Sequence, residues 1–250
     1  MPELPEVERA RALIAEHGLA RRIAAVDDRD TYVCRPHAPG EIASALVGRR
    51  LITANRIGKT MWFETDDEGP DLGLHLGMAG HIVFDEAAAP NRWDRFALEF
   101  SDGGLLALRD KRRLGRAVLE PDLSGLGPDA GEATRSEVRE RVGRGAMPLK
   151  AKLLDQSVLA GIGNLLADEV LWRARLSPLR PSGELGDEEL DGLRRSLRAA
   201  IRDAHRLGGV HTGHLMPARR RAGECPRCGT ALQRATVGGR TTWWCPEEQR

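Results

Sequence analysis

Leu149-Lys-Ala-Lys-Leu-Leu-Asp-Gln-Ser-Val-Leu-Ala-Gly-Ile-Gly-Asn-Leu-Leu-Ala-Asp-Glu169 sets the architecture of the second half of this 250-residue chain. A short helix should end near Asp155, a turn holding Gly161 and Gly163 should follow, and Asn164 should cap the next helix. Glycine lets backbone amides come close to a ligand, and an Asn-capped helix N-terminus binds an anion well. A generic helix hairpin is the plain alternative.

Outward from this stretch, the pattern is helical from about residue 134. Leu190, Leu193, Leu197, Ala200 and Ile201 follow helical spacing behind Asp187, the expected N-cap. Upstream, Glu120 to Glu132 carries two prolines and three glycines and reads as a linker. Residues 20–118 read as short strands. Phe96-Ala-Leu-Glu-Phe100, Met61-Trp-Phe63 and His81-Ile-Val-Phe84 are β-type runs, and Ser101-Asp-Gly-Gly104 is a hairpin turn. Several short strands with Gly-rich turns point to a sandwich or barrel. Val7, Ala10, Leu13 and Ile14 mark one face of an opening helix, and the chain after Gly223 is short, Cys-bearing and hairpin-like. The expected class is α+β, with domains over 1–120, 133–222 and 223–250.

With 38 basic and 37 acidic residues the net charge is +1, so the sum does not announce a nucleic-acid partner. Distribution matters more: Lys111, Arg112, Arg113 and Arg116 cluster, as do Arg219, Arg220 and Arg221. No stretch approaches the roughly 18–20 apolar residues of a membrane span. Acidic Glu3 argues against a signal peptide, so the cytosol is expected. Cys34 reads as a small buried hydrophobe. Cys225, Cys228 and Cys245 are spaced for metal rather than disulfides.

The chemistry is concentrated in Met1-Pro-Glu-Leu-Pro-Glu-Val-Glu8. Once Met1 is removed, Pro2 presents a secondary amine, with Glu3 and Glu6 following within one helical turn. An α-amino group titrates near about 7.7–8.0, so a useful fraction is nucleophilic at cellular pH. Such an amine can attack a sugar C1′ and form an imine while a carboxylate moves protons. A first helical turn with Pro5 and dipole-favoured glutamates has the same composition.

This N-terminus resembles that of the formamidopyrimidine-DNA glycosylase/endonuclease VIII family, in its formamidopyrimidine branch, and the resemblance continues in order along the chain. Arg56-Ile-Gly-Lys59 resembles the turn before the family's proton-donating, DNA-contacting lysine, which implies that role for Lys59. His75-Leu-Gly-Met-Ala-Gly80 resembles a loop that intercalates once a nucleotide is turned out, implying Met78 as the wedge. Asp110-Lys-Arg-Arg-Leu-Gly115 resembles the family's Asp-Pro-Arg-Arg-Phe-Gly: Arg112 matches the arginine that contacts the orphaned base, and Leu114 replaces the aromatic wedge. Trp93 stands where many members carry a DNA-contacting histidine. Residues 149–169 resemble the helix–two-turn–helix in which Lys150 and Asn164 grip the phosphates flanking the lesion. Cys225-x₂-Cys228-x₁₆-Cys245-x₂-Glu248 resembles the family's four-cysteine zinc finger, with Glu248 in the fourth place. Arg240 matches an arginine that penetrates the DNA and assists the last elimination.

The resemblance implies a bifunctional DNA glycosylase and AP lyase of base-excision repair. Pro2 and Glu3 are the catalytic pair, Lys59 and Arg240 promote elimination, and one structural zinc sits on Cys225, Cys228, Cys245 and Glu248. Damaged duplex DNA is the implied partner, bound by a monomer. The alternatives are a DNA-damage binding protein without lyase activity, or a member specialised for oxidised pyrimidines or bulky adducts. The interval from Gly208 to Glu224 looks too short for the lid that closes over 8-oxoguanine in the formamidopyrimidine branch.

Overall fold

Apolar residues between positions 20 and 120 come in short β-rich runs broken by glycine and aspartate, and the chain there forms strands. The computed structural model describes residues 1–86 and 91–250. One antiparallel sheet has the order β1-β6-β7-β5, from β1 (Ile23–Asp27), β5 (His81–Asp85), β6 (Asp94–Phe100) and β7 (Leu105–Arg109). The other has the order β2-β3-β4-β8, from β2 (Asn55–Ile57), β3 (Thr60–Phe63), β4 (Leu72–His75) and β8 (Arg116–Leu119). Met61, Phe63 and Leu74 of one sheet share a core with Ile82, Phe96, Leu98 and Leu108 of the other, as a sandwich requires. Val7, Ala10 and Ile14 of α1 (Leu4–Gly18) join that core. Each fully buried apolar side chain contributes about 1.5–3 kcal/mol.

The chain divides into two compact units, Met1–Pro2 with Val7–Leu123, and Glu3–Glu6 with Ser124–Arg250. The second unit holds α2's successors in sequence: after α2 (Glu41–Leu46) of the first unit come α3 (Arg135–Val142), α4 (Leu149–Leu154), α5 (Asn164–Ala174) and α6 (Asp187–Leu207). Leu4 of α1 lies in their core with Leu149, Leu153, Leu166, Leu193 and Leu197. The hairpin β9 (Gln233–Val237) and β10 (Arg240–Trp244) also belongs here, with Trp172 and Leu215 packed on Cys225 and Cys245.

Two sequence expectations need correction. The stretch 120–132 is a linker only in its first part: Gly127 N–H donates to Gln156 O at 2.9 Å and Ala130 N–H to Ala160 O at 2.9 Å. Gly127 serves a close backbone approach to the α4–α5 turn, where a Cβ would stand 2.5 Å from Ser157 O. Asp187 is the first residue of α6 rather than its cap; Gly186 precedes it, and the Glu189 carboxylate accepts the Gly186 N–H at 3.0 Å. Among the described residues no helix is long and apolar enough to cross a membrane.

Candidate active site

Helix α5 begins without a side-chain cap from its own neighbourhood, because Gly163 occupies the N-cap position and Asn164 is already helical. Glu3 fills the vacancy. Its Oε2 accepts the N–H groups of Gly163 and Leu166, both at 3.0 Å, and its Oε1 accepts that of Leu165 at 2.8 Å. The side chain is 0% exposed. The helix N-terminus predicted to bind an anion therefore binds one, the carboxylate next to Pro2, and Asn164 is released from capping. Gly163 is required there: a Cβ would overlap Glu3 Cδ and stand 2.6 Å from its Cγ. Glu6 holds the same turn, taking Glu3 N–H on Oε2 at 2.9 Å and Val210 N–H on Oε1 at 2.7 Å. Pro2, which precedes this anchored carboxylate, is half-buried.

In the first unit, Lys59 lies in the two-residue turn between the paired Ile57 and Thr60. Arg56 braces it, donating to Gly58 O at 3.1 Å and pairing with Glu8 of α1 at 2.9 Å. His75 stands opposite Thr60 in the ladder and accepts Gly77 N–H on Nδ1 at 3.0 Å. Burial and then the nearby Lys59 charge hold the His75 imidazole below its ordinary range.

Met78 is 42% exposed at the tip of its loop. A Cβ on Gly77 would overlap the Leu114 carbonyl and lie 2.7 Å from Gly115 N, so the two expected wedge loops touch. Asp110, buried, shapes the second loop by accepting the N–H groups of Arg112, Leu114 and Gly115 at 2.7–2.9 Å. Arg112 is left exposed and Leu114 half-buried. Trp93 sits under the cations of Arg92, Arg95 and Lys111, 4.6–5.8 Å from its ring centre.

Lys150 departs from the sequence expectation. A lysine meant to grip a phosphate should reach solvent, yet this one is 0% exposed. Its Nζ lies 2.6 Å from Asp168 Oδ1 and donates to Asn164 Oδ1 at 2.7 Å and Thr242 Oγ1 at 2.8 Å. Burial pushes the ammonium below the usual lysine range, opposed by Asp168 and by Glu3; burial likewise pushes Asp168 up, opposed by Lys150 and Arg219. The sequence shows none of this, since Asp168 lies 18 positions away from Lys150 and the hairpin further still. The one signal was the i, i+4 spacing of Asn164 and Asp168, which puts both on one helix face. Arg240 is the exposed first residue of β10, beside the Gly238–Gly239 turn, as its register with Cys245 had indicated.

The Sγ atoms of Cys225, Cys228 and Cys245 lie within 4.8 Å of one another. A tetrahedral zinc at about 2.3 Å from each sulfur needs about 3.8 Å between them, so the spacing fits. Each loop also directs N–H groups at its first sulfur. Burial works upward on Cys225, but the Trp172 indole and the N–H groups of Arg227 and Cys228 bring it down to about 7. Burial takes Cys245 up to about 11 against the N–H groups of Glu248 and Glu247. Glu248 stands in its loop where Cys228 stands in the other. It is outside the three-thiol group; its Oε2 is buried without a hydrogen bond, 3.5 Å from Arg175 and 3.7 Å from Arg227.

Three family models match in the same order as these features. They are the formamidopyrimidine-DNA glycosylase N-terminal domain over 1–117, its H2TH domain over 125–214, and the zinc finger found in FPG and IleRS over 224–247. This chain belongs to the formamidopyrimidine-DNA glycosylase family. A family member from Chloroflexus aggregans is 35% identical over 269 residues, covering 98% of each chain. The crystal structure of the MutM (FPG) protein from Thermus thermophilus is 34% identical with a TM-score of 0.82, covering 99% of this chain and 98% of that one. A MutM in complex with DNA containing carbocyclic 8-oxoguanine is 28% identical with a TM-score of 0.87, each chain covered in full. The zinc finger is thus a family feature that the three thiols here are built to serve.

Proposed function

We propose that the chain is a bifunctional DNA glycosylase and AP lyase of base-excision repair. The Pro2 nitrogen, freed by removal of Met1, bonds to C1′ of a flipped nucleotide as the glycosidic bond breaks and the base leaves with a proton. Opening of the C1′–O4′ bond, with a proton delivered to O4′, gives an iminium on Pro2. Loss of a C2′ proton then expels the 3′ phosphate, and a second elimination expels the 5′ phosphate, leaving a one-nucleotide gap. Glu3 handles the protons of base departure and ring opening; Lys59 and Arg240 serve the eliminations. Met78, Arg112 and Leu114 fill the space of the extruded nucleotide, and Asn164 donates to a flanking phosphate. Zinc, held by the three thiols with Glu248 as the proposed fourth ligand, supplies no reaction chemistry and holds the Arg240 hairpin in shape. The protein acts as a monomer in the cytosol.

The observation that carries this reading is the fixing of Glu3 by three backbone N–H groups, directly after the only residue able to offer a secondary amine at the chain's start. The test is borohydride trapping on an abasic duplex, with the mature N-terminus checked by mass spectrometry. Protein starting at Pro2 should give a covalent protein–DNA product. Protein that retains Met1 should give none while still binding duplex. Trapping that survives a blocked N-terminus would place the nucleophile elsewhere, and a correctly processed protein that binds without trapping would be a damage-binding protein.

The preferred lesion is a formamidopyrimidine rather than 8-oxoguanine. Two 3₁₀ turns, Val210–Thr212 and Met216–Ala218, take up the interval where a lid would lie. Glu6 grips it at Val210, and Glu169 accepts the N–H groups of His214 and Leu215 at 3.1 and 2.9 Å. Fewer backbone groups over the lesion edge mean weaker discrimination by polar pairing.

A further inference from the structure

We infer that Asp168 is a positioning residue that sets the backbone of the Arg240 strand and, through Lys150, the direction of the Asn164 amide. The inference rests on the lyase reading above. Asp168 Oδ2 accepts Arg219 Nε at 2.8 Å and the Trp243 N–H at 3.2 Å, while Oδ1 lies 2.6 Å from Lys150 Nζ. Lys150 passes the constraint on, donating to Thr241 O at 3.2 Å and to Thr242 Oγ1 at 2.8 Å. The Thr242 hydroxyl in turn donates to Arg240 O at 3.1 Å. Every residue from Arg240 to Trp243 is therefore tied, directly or through one or two groups, to a single buried carboxylate on α5.

The same ammonium fixes Asn164. An amide side chain can face either way, and only its NH₂ end can donate to a phosphate. Lys150 has no acceptor, so its contact with Asn164 selects the carbonyl oxygen and turns the NH₂ end away from the buried cluster. Two groups assigned to DNA thus take their aim from one ion-paired centre. A buried ion pair is weak evidence for stability by itself. What distinguishes this one is its contact with hairpin main chain, which specifies position rather than mere burial. Reaction rates are sensitive to such placement: a misplacement of about 1 Å can slow a step about 100-fold.

The test is single-turnover cleavage of an abasic duplex, reading the second-elimination product against the first, beside the rate of borohydride trapping. For Asp168→Asn the ratio of second to first product should fall about tenfold or more, with trapping within about threefold of the parent protein. Thr242→Val keeps the ion pair, removes the hydroxyl that links Lys150 Nζ to Arg240 O, and should shift the ratio in the same direction. It also decides the matter where Asp168→Asn loses zinc or fails to fold. In the parent protein Asn164→Ala should weaken duplex binding, and it should do so far less once Asp168 is replaced, because the amide is then already misdirected. An unchanged product ratio in folded, zinc-loaded variants overturns the inference. So does a uniform fall of trapping and both eliminations, which is what simple destabilisation gives. Absence of trapping in the parent protein would instead overturn the lyase reading.

Discussion

Replacing Gly163 by alanine isolates the anchoring of Glu3 from its chemistry. Gly163 has φ −116° and ψ −168°, a conformation open to any residue, so no backbone strain enters. The effect is steric: the new methyl stands 2.6 Å from Glu3 Cγ and Oε1, where apolar contacts need about 3.5–4.0 Å. Glu3 must move by about 1 Å, and at least one of its three N–H bonds is lost. A hydrogen bond to a charged group contributes about 1.5–3 kcal/mol, so losing one or two predicts about 2–5 kcal/mol of destabilisation. That is a large share of a typical stability of about 5–15 kcal/mol. The same shift should slow base excision about 100-fold. Glu3→Gln makes the contrast. Its carbonyl oxygen can keep both Oε2 bonds, to Gly163 and Leu166, and only the Leu165 N–H meets an NH₂ group. Gln should therefore unfold about 1–3 kcal/mol more easily yet abolish proton transfer. Denaturant titration and single-turnover excision of a formamidopyrimidine lesion give both quantities. A Gly163→Ala protein with parental midpoint and rate would refute the anchor.

His75 makes the first unit sensitive to acid. Its folded pKa is lowered below 6.5, so as pH falls through about 6.5 the unfolded chain takes up a proton that the folded one refuses. Stability should drop over that window and level off below the folded pKa. His75→Asn, whose Oδ1 can still accept the Gly77 N–H, should lack the drop, and equal slopes between pH 5 and 7 would contradict the assignment. Metal analysis should return about one zinc per chain, lost in Cys245→Ala; a folded, active, zinc-free protein would refute the site. In side-by-side excision the formamidopyrimidine should be released faster than 8-oxoguanine opposite cytosine, and the reverse order would return lid contacts to another segment.

Short-range chemistry was legible in the sequence. The strand at 96–100, the Gly103–Gly104 turn, the end of α4 at Asp155 and the hairpin tip before Arg240 each follow from residues within a few positions. Partnerships across long separations were not. Asn164 reads as a cap until Glu3, 160 positions away from Gly163, is seen on the amides it would have served. Lys150 reads as a surface cation because isolated lysines prefer water, and only Asp168, Thr242 and Asn164 together make its burial tolerable. The first residues of the linker are legible as such, whereas the later ones pair with backbone groups that sequence does not mark.

Membership of Glu3–Glu6 in the second unit bears on how the protein comes into being. During synthesis these residues emerge first, but their partners at Gly163–Leu166 and Val210 follow 160 and 204 positions later. Domains that emerge early can fold while the ribosome is still at work; this turn cannot. The nascent chain carries Glu3 and Glu6 without their amide partners until most of the polypeptide has been made. A chain cut short before Gly163 lacks every amide that holds Glu3.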